Sequence, residues 1–160
     1  MKLIIISILL FVNLGYSQPP DNFYFFNPGI KLGYTFGQNG GFSYGFEMSF
    51  IKTGDKLIEP KYGVVVGIDR VNDVAKYHFG LQYLGGIIGG EVGPSIIVRD
   101  GNINYGFQFT PFLASIIIIP FYSYTFVLNN NDFHEIGSFI KLPFQIIPSR
   151  SKYIYPISEG

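Results

Sequence analysis

Two neighbouring stretches decide the fold: Ile30-Lys31-Leu32-Gly33-Tyr34-Thr35-Phe36-Gly37 and Phe42-Ser43-Tyr44-Gly45-Phe46-Glu47-Met48-Ser49-Phe50. In the first, the even positions are Ile, Leu, Tyr and Phe, and the odd ones Lys, Gly, Thr and Gly. In the second, Phe, Tyr, Phe, Met and Phe alternate with Ser, Gly, Glu and Ser. Strict alternation is the signature of a strand, because successive side chains point to opposite faces of a sheet. The pattern returns at Lys76 to Tyr83, where Tyr77, Phe79, Leu81 and Tyr83 oppose Lys76, His78, Gly80 and Gln82. It returns again at Ile103 to Thr110, with Ile103, Tyr105, Phe107 and Phe109 on one face and Asn104, Gly106, Gln108 and Thr110 on the other. A helix would need a period of about 3.6 residues, and no segment here has it.

Working outward, four weaker strands fill the gaps, at about 61–71, 86–99, 116–128 and 134–145. In the third of these, Tyr122, Tyr124, Phe126 and Leu128 are read as sharing the apolar face, with Ser123 and Thr125 on the other. Turn signals separate the strands: Gln38-Asn39-Gly40, Asn72-Asp73, Gly85-Gly86, Asp100-Gly101 and Asn129-Asn130-Asn131-Asp132. The expected fold is all-β, an eight-stranded antiparallel up-and-down barrel with meander topology. Turn length must keep the faces in phase, since a slip of one residue flips every side chain. A three-residue loop at Gln38–Gly40 sets Phe36 opposite Phe42 and Lys31 opposite Glu47. A two-residue turn at Asp100-Gly101, a favoured pair for the tight hairpin turn, sets Arg99 opposite Asn102 and Ile96 opposite Tyr105. A two-residue turn at Asn72-Asp73 sets Asp69 opposite Lys76 and Gly67 opposite His78.

The chain opens Met1-Lys2, continues with an apolar run from Leu3 to Val12 broken only by Ser7, and then places Gly15 and Ser17 at small-residue positions. This reads as a cleavable secretory signal over residues 1–17, with a mature start at Gln18. The run is too short for a bilayer-spanning helix, which takes about 20 apolar residues. Residues 18–27 are read as a lead-in, 28–145 as the barrel domain and 146–160 as a C-terminal tail. Charged residues make up only 14% and aromatics 18%, with no Trp and zero net charge, so no basic footprint for nucleic acid exists. The absence of Cys removes disulfides and thiolate metal sites.

Alternation alone leaves open which face is wet. A soluble secreted or periplasmic sandwich or barrel binding an apolar ligand or a partner would turn the apolar face inward. Three features favour an outward apolar face. The polar face is rich in glycine (Gly33, Gly37, Gly45, Gly67, Gly80, Gly93, Gly106, Gly137), which suits a narrow closed barrel. Its charges are few and of mixed sign. The apolar face carries aromatics towards the strand ends (Tyr34, Phe36, Phe42, Tyr44, Phe50, Tyr77, Tyr83), as interfacial girdles do. On these residues the chain resembles the small eight-stranded outer-membrane barrels of the OmpX and OmpA-transmembrane type. The ending of the signal in Ser-Gln, in a chain rich in Ile, Asn and Lys, resembles exported proteins of Bacteroidota.

The resemblance implies an integral outer-membrane protein, reached by signal-directed export, monomeric, surrounded by outer-membrane lipid, and with a structural or surface-interaction role towards an envelope partner. The lumen is expected to be filled by Lys31, Glu47, Asp69, Lys76, His78, Glu91, Arg99, Gln108, Glu135 and Lys141, with Lys31–Glu47 and Arg99–Glu91 as neighbourhoods. Departures from the family pattern are Pro94, Pro111, Pro120 and Pro143 in or near strands, each requiring a strand end or a bulge, the long connection Lys52 to Pro60, and a C-terminus without the usual terminal aromatic. No catalytic, cofactor or metal site is expected. His78 and His134 are the only histidines and lack ligand spacing. The His-x-Ser pattern of the lipid A deacylase barrels is missing, since Gly80 follows His78 at that spacing.

Overall fold

In the computed structural model the described residues are 23–37, 40–53, 60–114, 117–128 and 131–146. The segment read as a signal peptide, most of the 52–60 connection and most of the C-terminal tail lie outside them. The strands are β1 (Phe23–Phe36), β2 (Gly41–Thr53), β3 (Lys61–Val71), β4 (Val74–Gly85), β5 (Ile88–Arg99), β6 (Asn102–Leu113), β7 (Ile118–Val127), β8 (Phe133–Lys141) and a short β9 (Phe144–Ile146). From β1 to β8 each strand pairs antiparallel with the next in sequence, and β1 pairs with both β2 and β8, which closes an eight-stranded meander barrel. β9 runs along β1 in the register that β8 leaves off, Lys141 facing Gly29 and Phe144 facing Phe26. Pro143 sits in the break between them. β1 begins at Phe23, inside the segment read as a lead-in.

The stagger of the barrel follows from the pairing. Starting at Phe26, the partners run Phe50, Val64, Leu81, Val92, Phe109, Tyr124 and His134, and return to β1 at Phe36, ten residues further on. With about 3.3 Å per residue and about 4.8 Å between strands, this stagger tilts the strands about 40° from the barrel axis, within the ordinary range for closed barrels. Every residue on that circuit faces outward or partly outward.

The faces fall as the alternation requires. Tyr34 is 50% exposed, Phe46 44% and Phe107 51%, so the aromatic face is the outside of the barrel and the polar, Gly-rich face the inside. Tyr122, Phe126 and Leu128 are exposed, and Ser123 and Thr125 buried. The Asp100-Gly101 turn has positive φ at both residues, 48° and 78°, and sets Arg99 opposite Asn102 and Ile96 opposite Tyr105. The Asn72-Asp73 turn sets Asp69 opposite Lys76 and Gly67 opposite His78.

Two expectations are corrected. The first hairpin is shifted by two residues: Tyr34 faces Phe42 and Lys31 faces Gly45, not Glu47. Pairing ends at Thr35–Gly41, Gly37 takes a φ of 109°, and the Gly40 N–H donates to the Gly37 carbonyl at 3.0 Å. The loop is therefore longer than three residues, and the even shift preserves both faces. Pro94 and Pro111 need neither a strand end nor a bulge. The β4–β5 partners run His78–Ser95 and then Leu81–Val92, and the β6–β7 partners run Phe109–Tyr124 and then Phe112–Phe121. Register is thus kept across both prolines, and the missing N–H leaves only a gap in one ladder. Pro120 lies near the start of β7, as a strand-end proline should.

The two mouths differ. At the end carrying the Asn72-Asp73 and Asp100-Gly101 turns, Val71, Val74, Ile97, Val127 and Phe133 form a buried apolar plug. At the end where the described chain begins and finishes, a cavity of about 280 Å³ opens between Phe25, Ile51, Leu84 and Phe112, with Gln82 and Lys141 also among its walls.

Candidate functional site

The inward faces of β1, β2, β3, β4, β5, β6, β8 and β7 converge on a buried polar lumen. Of the expected residues, Lys31, Glu47, Asp69, Lys76, His78, Glu91, Gln108, Glu135 and Lys141 are all buried inside it. Glycines make this possible. A Cβ on Gly67 would run into the His78 ring, and one on Gly45 would meet Asp69 Oδ1 at 2.5 Å. Because Gly45 lacks a side chain, Lys31 reaches across it to Asp69 on β3.

Two ionic groups result. In the first, Lys31 Nζ lies 2.7 Å from Asp69 Oδ2 and 2.8 Å from Glu135 Oε2, and Lys76 Nζ lies 3.1 and 3.3 Å from the same two oxygens. The Ser43 hydroxyl donates to Glu135 Oε1 at 2.7 Å. Lys31 Nζ also stands 4.8 Å above the Phe121 ring, which stacks on Phe139 at 4.4 Å. Each charge thus has two opposite partners, the arrangement under which buried ions are tolerated. In the second group, Lys141 Nζ is ion-paired with Glu47 Oε1 and lies 3.5 Å from Glu91 Oε1. The Gln82 amide donates to Glu91 Oε1 at 2.8 Å, and His78 Nε2 is 3.3 Å from Glu47 Oε2. His78 links the groups, with Nδ1 3.8 Å from Asp69 Oδ2. A neutral network completes the lumen: Gln108 donates to Thr110 Oγ1 at 3.0 Å, and Thr110 to Ser123 Oγ at 2.9 Å.

Arg99 does not join Glu91. Both lie on β5, eight residues apart, which is about 26 Å at about 3.3 Å per residue, and Arg99 is half-buried beside the Asp100-Gly101 turn. His134 and Glu135 also separate. Glu135 points into the lumen, while His134 faces outward with Nδ1 2.7 Å from the Tyr122 hydroxyl. Outside the strands, Asp132 accepts from the Tyr124 hydroxyl at 2.5 Å and from the Val127 N–H at 3.0 Å. These bonds hold its carboxyl below the usual range.

Gln82 and Ser43 lie on the polar face but are not among the expected lumen residues, and the aromatic trio Phe112, Phe121 and Phe139 is not expected in the lumen at all. Strand parity carries the signal for all of them. Phe121 shares parity with Ser123, Phe139 with Glu135 and Phe112 with Gln108.

The class that fold and site define is a closed eight-stranded meander barrel with a charge-paired interior and an apolar exterior. Comparison with family models, with curated proteins and with solved structures finds no match to this chain.

Proposed function

We propose that this chain is an integral outer-membrane β-barrel with a structural or surface-interaction role and a plugged, non-catalytic lumen. The observation that carries this reading is the outer face. Among the described residues, strand after strand presents exposed Phe, Tyr, Leu, Ile and Val to the outside, while Lys31, Glu47, Asp69, Glu91, Glu135 and Lys141 are buried within. A soluble protein would invert this arrangement, since exposed apolar patches beyond a few hundred Å² are rare on soluble monomers. The outward charges among the described strand residues are Lys52 and Arg70, close to opposite strand ends. Apart from Tyr122 at the middle of β7, the exposed tyrosines cluster towards the same ends, with Tyr24, Tyr62 and Tyr83 towards one mouth and Tyr34, Tyr44, Tyr77 and Tyr105 towards the other. Two aromatic belts around a charge-free band match what a bilayer asks of a barrel. Strands of 9 to 14 residues suffice to cross when tilted, the requirement being about 9–11. The short N-terminal apolar run, read as an export signal, fits the same destination.

Fractionation tests this. The expressed chain is expected to stay with membranes through a carbonate wash and to migrate differently on gels before and after boiling. Recovery in the soluble fraction, in a folded form, would favour a soluble barrel that binds a partner through its apolar face.

A further inference from the structure

The lumen's charges do not balance locally. Lys31 and Lys76 both serve Asp69 and Glu135, which leaves Lys141 alone against Glu47 and Glu91. Three strands bring a third group to that pair. One donor atom from each of Glu47, His78 and Glu91 falls within 4.8 Å of the others, with all three residues buried. Glu91 is 3% exposed, and its Oε2 has no hydrogen-bond partner. A void of about 10 Å³ lies beside His78 and Glu91, roughly the space one water or one small ion fills.

We propose that Glu47, His78 and Glu91 form a binding site for a divalent transition-metal ion, zinc being the best match, with Lys141 as the ammonium that the ion displaces. Imidazole nitrogen and carboxylate oxygen are both zinc donors, and three protein donors leave the fourth tetrahedral position to a water. His78 Nε2 and Glu47 Oε2 are 3.3 Å apart, the edge of a tetrahedron built on bonds of about 2.0–2.1 Å. Asp69 Oδ2 lies 3.8 Å from His78 Nδ1; on closing to hydrogen-bond distance it accepts from Nδ1–H and leaves Nε2 as the donor, the carboxylate–histidine support that metal-bound imidazoles use. Gln82 orients Glu91 through its other oxygen. Lys141 has somewhere to go, because it lines the 280 Å³ mouth cavity, which also supplies the entry path. With the ion bound and Lys141 turned into that cavity, Lys31, Lys76 and the ion balance the four buried carboxylates. The site uses only the lumen and does not depend on what surrounds the barrel.

The test is titration of Zn²⁺ into the folded full chain, stripped with chelator, by calorimetry and thermal melting, with Co²⁺ absorption reporting coordination. The expected result is one equivalent bound, a raised melting temperature and a tetrahedral Co²⁺ spectrum. H78Q and E91Q should each weaken binding by about tenfold or more, and D69N by about 10- to 100-fold, while H134Q should bind as the parent does. K141M should bind more tightly, because the competing ammonium is gone. That sign decides the matter if H78Q or E91Q does not fold. Absence of stoichiometric uptake by the parent chain, uptake that survives in folded H78Q and E91Q, or weaker or unchanged binding in K141M would overturn the proposal.

Discussion

Lys31 is 1% exposed and holds two carboxylates while lying over an aromatic ring. Its inward direction is legible from alternation alone. Its partners are not, because they depend on the loop between β1 and β2 and on barrel stagger. Shifting the first hairpin by two residues and tilting the strands moves Lys31 from Glu47 to Asp69 and Glu135. The same holds for Glu47, which parity sends inward but only closure brings to Lys141. Phe121 and Phe139 escape the reading for another reason: they break the rule that the inward face is polar, although parity would have placed them. Substituting Lys31 by Met leaves Asp69 and Glu135 sharing Lys76, and unbalancing a buried network of this kind costs about 3–5 kcal/mol. A lowered urea midpoint of the refolded barrel is the expected measurement, and an unchanged midpoint would show that the two carboxylates re-pair freely.

At the scale of the strand, alternation is strong enough to fix the β2, β4 and β6 faces, and the Asn72-Asp73 and Asp100-Gly101 turns fix the β3–β4 and β5–β6 registers. The prolines mislead, because a strand in a closed barrel can lose one ladder bond without losing register. Close backbone approach accompanies one such gap. A Cβ on Gly93, beside Pro94, would strike the Phe79 carbonyl and come within 2.6 Å of the Gly80 Cα. Backbone atoms cannot step aside as a side-chain tip can. Gly93→Ala should therefore destabilise the barrel by about 1–3 kcal/mol. Gly90→Ala, on the same strand with its nearest neighbours 3.8 Å away, should change stability by no more than about 0.5 kcal/mol. Equal effects in denaturant titrations would contradict the close approach of β4 and β5.

For the whole molecule, strand count and meander order are readable from sequence, whereas the difference between the two mouths is not. The inward face is polar at mid-barrel and apolar at the end carrying the Asn72-Asp73 turn, a change visible only once closure puts Val71, Val74, Ile97, Val127 and Phe133 together. We propose that this plug, with the ionic groups beneath it, closes the lumen. Reconstituted protein should accordingly show no steady conductance in planar bilayers, and porin-sized steps would mean the plug is not formed. The proposed outer-membrane location requires that the apolar exterior faces lipid. Because the chain has no cysteine, single spin labels can be placed at the outward positions Phe46, Val66, Leu81 and Phe107 in bilayer-reconstituted barrel. Lipid-soluble oxygen is expected to relax these labels strongly and a water-soluble nickel reagent hardly at all; labels open to nickel all along the outer face would mean that it is not buried in lipid.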